Sequence, residues 1–295
     1  MTEHPINQII CGDCLEVMKD WPDGCVDLVI FSPPYNVGKF YKGFIDEKSW
    51  DDYYDEIAHV IFMSYRILVK GGTIAINVPP TIKWQPDHKY ARTWTGFDNK
   101  YRWHRGPEKR NGKARIEPIA MKIQRIMLQF DTHLRESIVW VKGTDEIAIC
   151  SGNQMGCDSD PYLRGAHELI LLGSKEQWFH RGGTGRRGAT AVPYNDYTKD
   201  VWFIQNQRND LHPATFPEEI PLRLIRLFCH ADDCVILDPF CGVGTTCVAA
   251  KKLGRRYIGI EISSDYCEIA RDRLRAVDTG VSVKEARQGQ RVLFE

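Results

Sequence analysis

Ser32-Pro33-Pro34-Tyr35 closes the apolar run VDLVIF with side chains that could do chemistry. Ser32 and Pro33 each precede a proline, which drives both toward extended backbone, and neither proline has an N–H to offer a neighbouring strand. The product is a stiff loop with two acceptors, the Ser32 hydroxyl and the Pro33 carbonyl, beside the ring of Tyr35. An amine conjugated to a flat ring would use all three groups: two acceptors for its hydrogens and an aromatic face for its ring. Taken alone, a serine before two prolines is also an ordinary way to end a strand in a turn.

A second constellation lies in VILDPFCGVGTTCVAA, where Asp238 ends a strand, Gly242-Val243-Gly244 follow, and a helix opens near Thr245. Glycines let the backbone approach a ligand closely, and an acid at the next strand end, Glu261 in YIGIEIS, can accept hydrogen bonds from ribose hydroxyls. A glycine pair serves ordinary tight turns equally well. There is no third glycine at dinucleotide spacing and no G-x-x-x-x-G-K-[ST] phosphate loop, which favours a nucleoside without phosphate. S-adenosyl-L-methionine, a sulfonium nucleoside, would place its positive centre near Asp238 and its ribose at Glu261.

The elements that must position these loops alternate along the chain. Residues 6–11 and 26–31 read as strands around a helix over about 13–19. Ser49 caps a helix over about 50–68 with Ile57, Val60, Ile61, Tyr65 and Leu68 on one face, and Gly71-Gly72 ends it before the strand TIAINV. A helix over about 119–130 and the strand RESIVWV follow. Further on come a helix at about 215–230, the strand VILD, a helix at about 244–252, the strand YIGIE, and a helix at about 263–276 capped by Ser263. Strands alternating with helices imply a largely parallel sheet under helices.

Two stretches break the pattern. Residues 81–118 carry ten Lys and Arg against four Asp and Glu, with Trp84, Tyr90, Trp94, Tyr101 and Trp103 between them. Residues 143–200 are irregular around the apolar segment HELILLG and hold glycines around Arg181, Arg186 and Arg187. The chain has 295 residues, 43% hydrophobic, and a net charge of zero, so attraction to a nucleic acid must come from such local patches. No apolar run is long enough to span a bilayer and the N-terminus lacks a signal pattern, which reads as cytoplasmic with no membrane partner. Ten cysteines scattered through apolar segments read as reduced core thiols. Cys11-x-x-Cys14 has no second ligand pair, so no metal site is expected.

Together these segments resemble the amino-methyltransferases of DNA, in the permuted motif order called the beta group. The resemblance runs through IICGDCLEVM, VDLVIFSPPYN, LVKGGTIAINV, RESIVWVKG, HPATFPEEIPLRLIRLF, DPFCGVGTT and YIGIEIS. It implies an α/β fold: a doubly wound, mostly parallel, seven-stranded sheet of the S-adenosyl-L-methionine-dependent methyltransferase type with an inserted DNA-recognition region. It further implies double-stranded DNA as substrate and a cognate restriction endonuclease as functional partner. Asp13 then matches the acid on the adenine amine of the cofactor and Glu261 the ribose acid. Phe240, Gly242 and Gly244, running into Thr245, match the methionine-side loop, flanked by Thr215 and Phe216. Ser32, Pro33, Pro34 and Tyr35 become the catalytic loop for an exocyclic amine of a flipped base.

In this family serine at the first position goes mostly with cytosine N4 and aspartate with adenine N6, so cytosine N4 is expected and adenine N6 is the alternative. Carbon-5 methylation uses a cysteine that follows proline, and none of the ten here does. A DNA-binding regulator that has lost catalysis is the reading of another class, and intact Ser32, Tyr35, Asp238 and Glu261 argue against it. The expected organisation is a catalytic half at 1–80, a basic aromatic insertion at 81–118, the catalytic domain continued at 119–142, a target-recognition region at 143–200, a cofactor-binding half at 201–276 and a tail at 277–295. Arg181, Arg186 and Arg187 are candidate DNA contacts. Lys39, in a glycine-flanked segment that can act as a flap, is another. His212 is read as structural.

Overall fold

The computed structural model describes residues 5–41, 44–84, 115–144, 147–148, 165–178, 194–206 and 215–280. Gln8–Cys11 (β1) leads through Cys14–Met18 (α1) into Val26–Phe31 (β2), and a hairpin of Phe40–Tyr41 (β3) and Phe44–Ile45 (β4) precedes Trp50–Ile67 (α2) and Leu68–Val78 (β5). Ile82–Trp84 (β6) pairs with Arg115–Glu117 (β7). Next come Ile119–Leu128 (α3), Thr132–Leu134 (β8), Ile138–Thr144 (β9), Ile147–Ala148 (β10) and His167–Lys175 (β11). The order ends with Tyr194–Tyr197 (α4), Val201–Ile204 (β12), Glu219–Phe228 (α5), Val235–Asp238 (β13), Thr245–Lys252 (α6), Arg256–Glu261 (β14) and Ser264–Thr279 (α7).

One sheet runs β1-β14-β13-β2-β5-β11-β9-β10, with β12 added on β9 and β8 on β11. From β1 to β5 neighbouring strands are parallel, whereas β11 is antiparallel to both β5 and β9. This is the mostly parallel doubly wound sheet, but with ten strands rather than seven among the described residues. The surplus is short: β12 lies parallel along β9, β10 folds back on the end of β9, and β8 pairs with the last residues of β11.

Helices cover both faces. Leu28, Ile30, Ala75 and Ile236 pack with α5, α6 and α7 residues on one side, and Val29, Phe31, Ile74, Ile76 and Leu237 with α1, α2 and α3 residues on the other. All six residues of β2 are buried, as a parallel strand roofed on both faces requires. Ser49 Oγ accepts the Asp52 N–H to cap α2, whose buried face is Tyr53, Ile57, Val60, Ile61, Ser64 and Ile67.

Several boundaries differ from the sequence reading for physical reasons. Gly71-Gly72 does not stop α2: the helix passes at Leu68 into β5, and the glycines lie inside that strand. A Cβ on Gly72 would sit 2.9 Å from Val69 O and 3.0 Å from Asp27 O, so the glycine admits a close approach where the β2–β5 register shifts. HELILLG does not interrupt a loop; it is β11, in the middle of the sheet, so 143–200 is not one irregular stretch. The ends of 81–118 pair as β6 and β7. Val201–Ile204 joins the β9 side of the sheet, away from the cofactor-half strands β13 and β14, and α7 runs past 276 to Thr279 before Gly280 takes the left-handed turn. Six of the cysteines are buried free thiols. Among the described residues no helix is long and apolar enough to cross a membrane, and no His/Cys/Asp/Glu group could hold a metal.

Candidate active site

β13 and β2 lie side by side, with Leu237 opposite Val29. From β13 the chain crosses through α6 to β14 on one flank; from β2 it crosses through α2 to β5 on the other. Such a reversal opens a crevice beyond the carboxyl ends of the strands, where open α/β sheets bind ligands. The DPFCGVGTT and SPPY loops, more than 200 residues apart in sequence, leave those two ends, and the Phe31 and Phe240 rings meet between them at 5.6 Å.

The glycine loop is held from below by its own acids. Asp238, 3% exposed, accepts from Thr246 Oγ1 at 2.6 Å and from the Phe240 N–H at 3.1 Å. Glu261 accepts from the Gly242 N–H through Oε2 and from the Ser263 N–H through Oε1, each at 2.9 Å. Gly242 and Gly244 have φ of 50° and 78°, the left-handed region. Arg273 of α7 donates to Val243 O at 2.7 Å and to Thr245 Oγ1 at 3.2 Å, which ties Thr245 into the loop's support. Burial pushes the Asp238 carboxyl up to about 7 against those two hydrogen bonds, and raises Glu261 against the N–H groups of Ser263 and Gly242.

Asp13, at the end of β1 beside β14, caps α1 by accepting the N–H groups of Leu15 and Glu16. Phe216 packs against the apolar cluster that includes Leu224, Cys241 and Val248, and Thr215 is half-buried beside it in the chain. Buried carboxylates at successive strand ends favour a ligand that brings positive charge and N–H or O–H donors. No Lys or Arg stands in DPFCGVGTT to meet a phosphate. S-adenosyl-L-methionine fits this donor and charge set.

At the other loop, Ser32 Oγ and Tyr35 Oη share a 2.8 Å hydrogen bond. Tyr35 Oη also lies 3.1 Å from Glu168 Oε2 and receives Asn77 Nδ2 at 3.2 Å. Asn77 Nδ2 donates to Glu168 Oε2 at 2.6 Å, and Lys142 forms an ion pair with Glu168 Oε1. Strand alternation puts these groups on one face: Ile30 pairs with Ala75, Asn77 with Ile170, and Glu168 with Trp140, one pleat from Lys142. Glu168, Asn77 and Lys142 escaped the sequence reading. The available signal was an acid opening an otherwise apolar strand in HELILLG.

Asn36, at φ 57°, staples the following loop by exchanging side-chain hydrogen bonds with the backbone of Lys48. Asp46 accepts the Lys39 N–H, and burial pushes its carboxyl up to about 6. Lys39 is half-buried within electrostatic reach of Asp46, Glu168 and Lys142, and burial lowers its ammonium. It is thus drawn toward the crevice network. Arg181, Arg186, Arg187 and His212 lie outside the described residues.

A profile of the DNA methylase family of N6 and N4 specificity matches residues 26–272, which contain both loops. The chain belongs to the N6/N4 DNA methylase family. It is 26% identical over 287 residues to the Type II methyltransferase M.BglII of Bacillus subtilis, covering 90% of this chain and 68% of that one. To the DNA adenine methyltransferase YhdJ of Escherichia coli strain K12 it is 25% identical over 288 residues, covering 90% and 82%. The structure of a DNA modification methylase of Thermus thermophilus, TTHA0409, complexed with S-adenosyl-L-methionine matches with a TM-score of 0.64 at 25% identity, covering 90% of this chain and 92% of that one. Membership gives the reaction: S-adenosyl-L-methionine-dependent methylation of an exocyclic amine on a DNA base, adenine N6 or cytosine N4.

Proposed function

We propose that this enzyme methylates the N4 amine of cytosine in duplex DNA within a specific short sequence. Ser32 carries the cytosine reading: a neutral hydroxyl, not a carboxylate, stands first in SPPY, the residue that the family resemblance associates with N4 amines. The target base leaves the duplex, because a stacked and paired amine cannot meet a methyl donor in line, and the Tyr35 ring offsets part of that cost by stacking on it. Ser32 Oγ and the Pro33 carbonyl accept the two amine hydrogens, which turns the nitrogen lone pair toward the electrophilic methyl that the bound cofactor supplies. Pro34 keeps this loop stiff, so the rate gain is mainly orientation.

Asp13, Asp238, Phe240, Gly242, Gly244, Thr245 and Glu261, with Thr215 and Phe216, form the cofactor side. DNA is held through phosphate contacts from 81–118 and read by 143–166 and 176–200, including Arg181, Arg186 and Arg187, with Lys39 as a further contact. A restriction endonuclease of the same specificity is the functional partner. Adenine N6 is the second reading, favoured by the relative named a DNA adenine methyltransferase.

The test is incubation with isotope-labelled S-adenosyl-L-methionine and unmethylated genomic DNA, then digestion and nucleoside mass spectrometry. Label in N4-methylcytosine supports the proposal; label in N6-methyladenine keeps the mechanism and overturns the base. Ser32→Ala is expected to lose transfer while cofactor affinity, measured by calorimetry, is retained. Loss of both would mean that the SPPY loop belongs to the cofactor pocket.

A further inference from the structure

The hydrogen-bond network behind Ser32 has a fixed direction. A carboxylate beside an ammonium only accepts, so Glu168, paired with Lys142, takes hydrogens from its neighbours. Asn77 must present its amide nitrogen to Glu168, because the flipped amide would set an oxygen against the carboxylate. Tyr35 has one hydroxyl proton and two acceptors in range, Glu168 Oε2 at 3.1 Å and Asn77 O at 3.5 Å; the charged and shorter contact takes it. Tyr35 Oη then serves as acceptor for Ser32, at 2.8 Å. Ser32 therefore spends its proton on Tyr35 and keeps lone pairs for a substrate amine.

We propose that Glu168 is the terminal proton acceptor of a relay that runs from the target amine through Ser32 Oγ and Tyr35 Oη, with Asn77 and Lys142 as the residues that hold it in place. The inference rests on the amino-methyltransferase reading of the site. As the new N–C bond forms and the methyl–sulfur bond breaks, the sulfur leaves with that electron pair as a neutral thioether and the amine nitrogen becomes cationic. The nitrogen releases a proton to Ser32 Oγ, Ser32 passes its own to Tyr35, and Tyr35 passes its own to a Glu168 oxygen. Charge ends as a neutral methylamine and a protonated Glu168, which returns its proton to solvent after turnover.

Each heavy-atom step lies within the reach that proton transfer needs. An arylammonium is strongly acidic, so a carboxylate weakened by Lys142 and Lys39 remains base enough. The charged and titratable groups facing Glu168 are Tyr35 and Lys39 from the SPPY side and Lys142 from β9, with Asp46 acting on Lys39. From β5 the facing group is the neutral Asn77 amide.

The experiment uses the full chain with labelled S-adenosyl-L-methionine and genomic DNA, and compares the pH profile of single-turnover transfer in wild type, Glu168→Gln, Glu168→Asp and Tyr35→Phe. Cofactor affinity by calorimetry and thermal melting are measured alongside. Wild type should slow as pH falls and Glu168 fills with a solvent proton. Glu168→Gln should be slower by about 10-fold or more near neutral pH and lose this acid limb, while cofactor affinity and melting hold. Glu168→Asp should recover part of the rate together with the limb. Tyr35→Phe, which keeps the ring, should lose the limb as well, and decides the matter if Glu168→Gln melts early. A wild-type rate in Glu168→Gln, a uniform slowing with the acid limb kept, or a parallel fall in cofactor affinity overturns the relay. Wild type that binds cofactor but labels no DNA overturns the function reading and the relay with it.

Discussion

Gly244→Ala probes how the cofactor loop is built. Gly244 lies at φ 78°, where an L side chain costs about 1–2 kcal/mol. Its added Cβ would fall 2.9 Å from Ala270 Cβ and 3.4 Å from Ala270 Cα on α7, so the obstacle is a helix backbone and not a flexible side-chain tip. Overpacking of that kind adds about 1–3 kcal/mol, for a total of about 2–5 kcal/mol. Gly254 isolates the packing part, since its φ is 66° with nothing within 4 Å of the corresponding Cβ. Equilibrium urea unfolding of wild type, Gly244→Ala and Gly254→Ala should show Gly254→Ala losing only the conformational part. Gly244→Ala should lose the full amount and also bind S-adenosyl-L-methionine more weakly, because relief requires the loop to rise from α7. Equal losses in the two variants, with cofactor affinity intact, would refute the argument that loop position is set by contact with α7.

Burial holds the Asp238 carboxyl up to about 7, so stability linked to it is fully present below its ordinary value and is lost as pH rises through about 7. The ligand-free melting temperature should fall from pH 5 to pH 8, and Asp238→Asn should flatten that fall; an unchanged slope would assign the dependence to other groups. Arg66 donates to Met18 O, Lys19 O and Trp21 O, closing the end of α1 and the turn after it. Arg66→Met should therefore cost about 1–3 kcal/mol in urea unfolding, and no loss would mean that water replaces the guanidinium there.

What the sequence made legible follows from where local chemistry and global fold agree. The β2 and β13 loops were readable because proline pairs and glycines at strand ends leave a local signature, and α2 because its cap and apolar face lie within one segment. Gly71-Gly72 misled because the same residue type that ends helices also permits a tight β2–β5 contact, and only tertiary packing distinguishes the two. The HELILLG segment looked like an interruption since its flanks are irregular in sequence, although its alternation with β5 and β9 places it mid-sheet.

The residues behind Ser32 were missed for a topological reason. In a parallel strand the residue that reaches the ligand edge comes at or just after the end of the apolar run, as Ser32, Asn77, Asp238 and Glu261 do. β11 is reversed, so the residue that reaches this edge precedes its apolar run, and a reading that looks past strand ends passes over Glu168. β9, reversed again, returns to the usual rule and delivers Lys142 beside it. One antiparallel strand thus brings an acid from the entry side of its strand to the serine and tyrosine at the exit of β2. That arrangement requires the strand order of the whole sheet, which no local pattern in the sequence encodes.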